Sequence, residues 1–203
     1  MPERRRLPPE VRRERILVAA LELFAEHGYQ AAMGAVAQAA GVTRTVLYHY
    51  FPSKEQLFLA VLDAQASALV GHLARPVTGA GTQTERARDV IDAMLVFVQD
   101  RPAGWRLLFD HDLDDAPEVA DARRALHERT MLAMGALLAS DMSAAGLNAR
   151  SARTMIVAEA SLGAAVATAR WWREHPEIPR GVVTDALYEL LWHGTGALPA
   201  DAD

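Results

Sequence analysis

Arg44, Thr45 and His49 fall on two adjacent turns of one short segment, which Thr43 opens. An arginine there can donate two parallel hydrogen bonds to O6 and N7 of a guanine, and a threonine methyl can meet the methyl of a thymine. Tyr48 and Tyr50 carry phenols that can donate to a phosphate oxygen, which positions a protein on a duplex without reading its sequence. One of the two can instead pack under the helix, and Tyr48 stands next to the apolar Leu47. Lys54 lies where a further helix opens, and lysine together with backbone N–H groups can hold a phosphate at such a terminus. It is the single lysine of a chain whose other fixed cations are all arginine. The plain alternative for the whole group is an exposed helix with ordinary polar residues.

These residues need a scaffold, and apolar spacing supplies one. Ile16, Leu17, Ala20, Leu21 and Phe24 recur at helical intervals, so a first helix is predicted from about residue 10 to 27, stopped by Gly28. A short second helix is expected over 33–40, ended by Gly41. Thr43 is a good N-cap for a third, which runs through Tyr50 until Phe51-Pro52 breaks it. Ser53 with Gln56 has the spacing of a capping box and opens a fourth helix to about Ala74. The stretch from Arg75 to Thr82 contains Pro76, Gly79 and Gly81 and is the clearest loop. Five more helices follow, at about 84–100, 102–110, 117–141, 148–174 and 180–194. The fold class is all-α, with about nine helices.

Between residues 15 and 62 four patterns occur in order: Leu23-Phe24 leading to Gly28-Tyr29, Ala37 to Ala40-Gly41-Val42-Thr43, Leu47-Tyr48 to Phe51, and Ser53-Lys54 to Leu57. Together they closely resemble the DNA-binding domain of the TetR family of transcriptional regulators. The residues explain themselves physically: small Ala37 and Ala40 admit a tightly packed second helix, Gly41 makes the turn, and Val42 plugs into the core. Such a helix-turn-helix presents the start of its second helix to base edges in the major groove. The resemblance implies residues 1–52 as this domain, 53–74 as a connecting helix, and 75–203 as a larger ligand-binding and dimerisation domain. It further implies a repressor that binds palindromic operator DNA as a homodimer and is released by a small molecule. The rival reading is a helical small-molecule-binding protein with weak or lost DNA binding.

One departure from the family pattern motivates that rival. Where the second helix usually opens on a hydroxyl pair, residues 30–34 read Gln-Ala-Ala-Met-Gly, about one residue short. A missing hydroxyl cap costs about 1 kcal/mol, and Gly34 lowers helix propensity further. A second helix that starts late or frays is expected.

In the C-terminal part Met94, Phe97, Trp105, Phe109, Met131, Met134, Met155 and Trp171 are spread over several helices. Flexible methionines and large aromatics suit a pocket for an apolar or aromatic effector, although core packing accounts for any one of them alone. Glu159 lies on an otherwise apolar helix, so its carboxylate must be exposed or paired, with a ligand or with an arginine across a dimer. Ala158, Ala160, Ser161, Gly163, Ala164, Ala165, Ala167 and Ala169 make a small-residue surface, and Val183, Leu187, Leu190 and Leu191 an apolar stripe. Two such helices per subunit can form a four-helix bundle about a two-fold axis, although a monomeric core can use the same stripes.

Charge and composition fit this picture. Residues 1–56 carry eight Lys/Arg against six Asp/Glu, net +2, and the remainder thirteen against twenty, net −7, giving the overall −5. A mildly basic head on an acidic body suits contact with phosphates at one end; Arg4, Arg5, Arg6, Arg12 and Arg13 can add non-specific attraction there. The absence of cysteine removes disulfides, thiol nucleophiles and zinc–thiolate sites. His111 among Asp110, Asp112, Asp114 and Asp115 reads as a solvated acidic turn rather than a metal site. No Gly-rich phosphate loop, His-Glu-x-x-His or Gly-x-Ser-x-Gly is present, so neither an enzyme nor a cofactor is expected. With no uncharged apolar run of 18 residues and no signal-like start, a cytoplasmic protein that does not enter a membrane is expected.

Overall fold

The computed structural model describes residues 8–78, 81–109, 117–144, 148 and 151–196, with the backbone alone at 118, 134–144 and 193–196. Arg4 to Arg6, the 110–115 acidic stretch with His111, and the side chain of Met134 lie outside the described residues. Among those described, all regular structure is helical, apart from the turns that join the helices.

Helix α1 (Pro9–His27) has proline in its first turn, where the missing N–H costs nothing. It ends where Gly28 takes a positive φ of 58° and donates its N–H to the Phe24 carbonyl. A single 3-10 turn over Gly28–Gln30, not foreseen from the sequence, precedes α2 (Met33–Ala39). As expected, no side chain caps α2 at Ala32. Helix α3 (Arg44–Tyr50) begins under Thr43, whose hydroxyl oxygen accepts from the Val46 N–H at 3.2 Å. Helix α4 (Lys54–Val77) starts under Ser53, whose Oγ accepts from the Gln56 N–H.

The expected stop at Ala74 is wrong by three residues: α4 continues through Pro76 to Val77. A proline there removes one intrahelical bond, to the carbonyl four residues earlier, and stands in the last turn, whose final carbonyls have no intrahelical partners. Thr78 serves two of them, its hydroxyl donating to the carbonyls of Ala74 and Arg75. Helix α5 (Gln83–Asp100) opens on a reciprocal Thr82–Glu85 capping box. Helices α6 (Pro102–Phe109), α7 (Pro117–Ala144), α8 (Ala152–Glu174) and α9 (Arg180–Gly196) complete the chain. Helix α8 starts at Ala152 rather than 148, since Ser151 caps it by accepting from the Thr154 N–H.

By packing, the chain divides into two units, residues 1–67 with 102–127, and 68–101 with 128–203. In the first, Ile16, Phe24, Val36, Leu47, Leu57, Phe58 and Leu62 share a core with Leu107 of α6 and Val119 of α7. Leu107 and Val119, expected with the C-terminal domain, therefore pack with the helix-turn-helix. Phe58 is its hub: Phe24 and Tyr29 meet it edge-on at 5.0 and 5.3 Å, and the Arg123 guanidinium lies over its ring. Arg123 also donates to the Leu107 carbonyl, tying α7 to α6.

In the second unit α5 packs on α9, and α8 packs on both. Arg180 donates to the Asp92 carboxylate and to Gln99, while the buried Thr184 hydroxyl donates to the same Asp92 carboxylate. Arg88 pairs with Asp185 at 2.7 Å. Val183 and Leu187 of α9 and Ala165 and Ala169 of α8 are buried within the single chain. They were expected on a subunit interface; they are core residues instead, because α9 turns that stripe onto α5 and α8. Leu187→Ala should accordingly lower the free energy of unfolding by about 2–5 kcal/mol, read from a urea titration, since it opens a cavity inside one chain.

Candidate nucleic-acid interface

The turn between α2 and α3 is made by backbone hydrogen bonds. Gly41 adopts a φ of 67°, a region costly for any residue with a Cβ, and Val42 donates its N–H to the Ala37 carbonyl at 2.9 Å. Helix α3 is only two turns long and anchors through Leu47, which is 0% exposed. Residues three and four apart share a helix face, so Thr45, Tyr48 and His49 lie together on the outer side; Arg44 lies beside them, and all four are exposed.

The two tyrosines separate in role. Tyr48 is 45% exposed, so the packing alternative considered for it does not hold. Tyr50 is half-buried and meets the His49 ring edge-on at 5.6 Å. An open groove runs beside α3, lined by Thr45, Val46, His49 and Tyr50, by Pro9 and Arg12 of α1, and by Pro8 just before it. Arg12 was legible only as a general basic residue; its place alongside the reading helix needed the fold. Arg13, next to it in sequence, instead stacks over the ring of buried Phe51 at 5.2 Å.

Lys54 is the first residue of α4, as expected, but its ammonium stands over the Tyr29 ring, 4.6 Å from the centroid. Partial burial holds its pKa below the usual lysine value. Tyr29 is thus a supporting residue that the sequence reading quoted without a role. The Gly28-Tyr29 pair was the signal.

The residues expected to bind an effector fall in both units. Trp105 and Phe109 belong to the first, with ring centroids 4.3 Å apart. Trp105 is wholly buried, and its indole N–H has no hydrogen-bond partner among the described residues; the same holds for Oε1 of buried Gln65. Met94 and Phe97 are buried in the second unit, where His72 meets the Phe97 ring edge-on at 5.5 Å, and Met131 there is half-buried. Met155 and Trp171 differ from the expectation of a pocket lining, whereas Glu159 takes one of the two settings expected for it. Met155 is 61% and Trp171 47% exposed, and Glu159 is exposed as well, so in the single chain they line its surface and no interior cavity. The neighbouring Trp172 is the buried one, donating its indole N–H to the Ile178 carbonyl. Among the described residues no three His, Asp or Glu gather as metal ligands would.

Comparison with known proteins agrees with this geometry. Residues 16–61 match the family described as bacterial regulatory proteins, tetR family. The HTH-type transcriptional activator FasR of Mycolicibacterium smegmatis is 32% identical over 196 residues, covering 96% of this chain and 87% of FasR. A TetR-like transcriptional regulator from Rhodococcus sp. RHA1 has the same fold, with a TM-score of 0.73 at 25% identity over 95% of this chain and all of that one. AibR, solved with isovaleryl coenzyme A and operator DNA, is similar with a TM-score of 0.67 at 21% identity, over 88% of this chain and 97% of its own. The chain belongs to the TetR family and is a DNA-binding transcriptional regulator.

Proposed function

We propose that the protein grips a palindromic operator as a homodimer, reads it with Arg44, Thr45 and His49, and releases it when an apolar effector binds. The observation that carries this reading is α3, where these side chains and Tyr48 stand exposed while Leu47 is buried. Arg44 contacts a base edge; Tyr48 and Lys54 contact phosphates, Lys54 from the position over Tyr29. Work of this kind is a binding equilibrium with no bond made or broken, performed beside the chromosome in the cytoplasm. Release relieves repression where the operator overlaps a promoter; FasR carries the name of an activator, so the sign of the response follows operator position.

The second subunit docks on α8 and α9. Ile156, Ala160, Gly163 and Ala167 recur along one exposed face of α8, flanked by Met155 and Trp171, with Val182 and Leu190 exposed on α9. A Cβ added at Gly163 would meet nothing within 4 Å, so the chain's own packing does not require a glycine in mid-helix, a choice that costs about 1 kcal/mol against alanine. A partner helix at close approach supplies the reason. Glu159 is then available for an arginine of the other copy.

The effector lies in the second unit against Met94, Phe97 and Met131. The isovaleryl coenzyme A of AibR makes short-chain acyl thioesters sensible first probes. A 100-fold loss of operator affinity needs about 2.7 kcal/mol of differential effector binding, and the DNA-bound dimer must bind effector more weakly by the same factor.

The test is to select operator fragments from a random DNA pool with purified protein, then titrate acyl thioesters and follow release. Palindromic fragments released on titration are expected; selection without sequence preference would refute the reading. Lys54→Gln should weaken every sequence alike and reduce the slope of log affinity against log salt by about 0.9; a loss confined to certain sequences would contradict a phosphate role. Gly163→Arg should sediment as a folded monomer at micromolar concentration and lose high-affinity operator binding. If it remains a dimer, the interface lies elsewhere.

A further inference from the structure

Gly34 stands in the first turn of α2, where sequence reasoning finds only a defect: no capping side chain at Ala32 and a residue that weakens the helix. The structure supplies a reason for it. A Cβ at Gly34 would overlap the Arg44 guanidinium, reaching within 2.9 Å of both Cζ and Nε and closer still to the terminal nitrogen Nη2. The planar head of Arg44 therefore lies against bare α2 backbone, filling the space that any other residue would occupy. Arg44 is the first residue of α3 and is exposed. It makes no hydrogen bond or ion pair among the described residues, so the head rests against Gly34 with its N–H donors available.

Arginine carries considerable side-chain freedom, and a guanidinium already held in one direction loses less on forming paired hydrogen bonds. We propose that Gly34 is a positioning residue for operator recognition: its missing side chain sets the path along which the Arg44 guanidinium approaches its base. The helix gives up stability at Gly34 and gains a defined arginine. This inference rests on the reading of Arg44 as a base-contacting residue. It predicts an uncommon pairing of effects, in which a substitution that favours the helix impairs DNA reading.

The experiment compares Gly34→Ala, Gly34→Ser, Arg44→Ala and the double variant Gly34→Ala/Arg44→Ala. Thermal unfolding gives stability, and binding-site selection with titration of the selected operator gives specificity and affinity. Gly34→Ala should unfold at or above the parent's midpoint, bind the operator about tenfold more weakly, and lose preference at the same base position as Arg44→Ala. Gly34→Ser should act in the same direction on DNA. In the Arg44→Ala background Gly34→Ala should change DNA binding no further. Three outcomes overturn the proposal. If Arg44→Ala relaxes a base preference while Gly34→Ala leaves affinity and preference intact, Gly34 does not position Arg44, and the reading of Arg44 stands. If Gly34→Ala weakens binding equally in both backgrounds, its effect passes through α2 itself. If Arg44→Ala leaves base preference unchanged, the reading of Arg44 falls and this inference falls with it.

Discussion

A seven-residue helix has no stability of its own in water, because the cost of nucleating it exceeds what so few hydrogen bonds return. Everything that α3 does depends on its being held from outside, and one buried side chain, Leu47, does most of the holding. Thr43 satisfies a free N–H at the start, and the Gly41 turn fixes where the helix begins. With one apolar anchor on a two-turn helix, its rotation is determined, and the outward side chains follow. The exposed face of α3 is thus a consequence of where Leu47 is buried.

The core around that anchor extends beyond the first three helices. Leu107 and Val119, distant in sequence, close the same core around Phe58. Arg123 contributes twice, stacking its guanidinium on Phe58 while donating to a backbone carbonyl of α6. The apolar character of α4, high enough by length and composition for a membrane span, is explained in the same way. Leu57, Phe58, Val61 and Leu62 are buried in the first unit, and Leu69 and Leu73 are buried too. In the second unit the α5–α9 contact is reinforced by a polar group in which Asp92 accepts from both Arg180 and Thr184. A partly buried carboxylate with two donors is satisfied rather than costly.

Small residues serve opposite ends on the two sides of the chain. Ala165 and Ala169 let α8 lie close to its own neighbours, whereas Ala160, Gly163 and Ala167 leave a smooth outer face beside exposed Ile156 and Leu190. Large apolar side chains gathered on an outer surface usually mark a place where another molecule sits. Gly34 belongs to neither group, since its space is filled by an arginine of the next helix.

Much was legible in the sequence by itself. Helical spacing with glycine and proline stops located the helices, because those signals act through local backbone geometry. The ordered motifs between residues 15 and 62 identified the helix-turn-helix, because each marks a local requirement: a turn, a cap, a small packing residue. Where the signal was local but weak, boundaries slipped, as at Pro76 and Ser151. What only the tertiary structure decided depends on which helix meets which. Periodicity shows that Leu187 and Leu190 share a stripe but not that Leu187 is core while Leu190 is exposed. The same holds for exposed Trp171 beside buried Trp172, for α6 joining the N-terminal core, and for Lys54 standing over Tyr29. The clearest case is Gly34: composition records a missing side chain, and three-dimensional contact shows that the Arg44 head occupies the space.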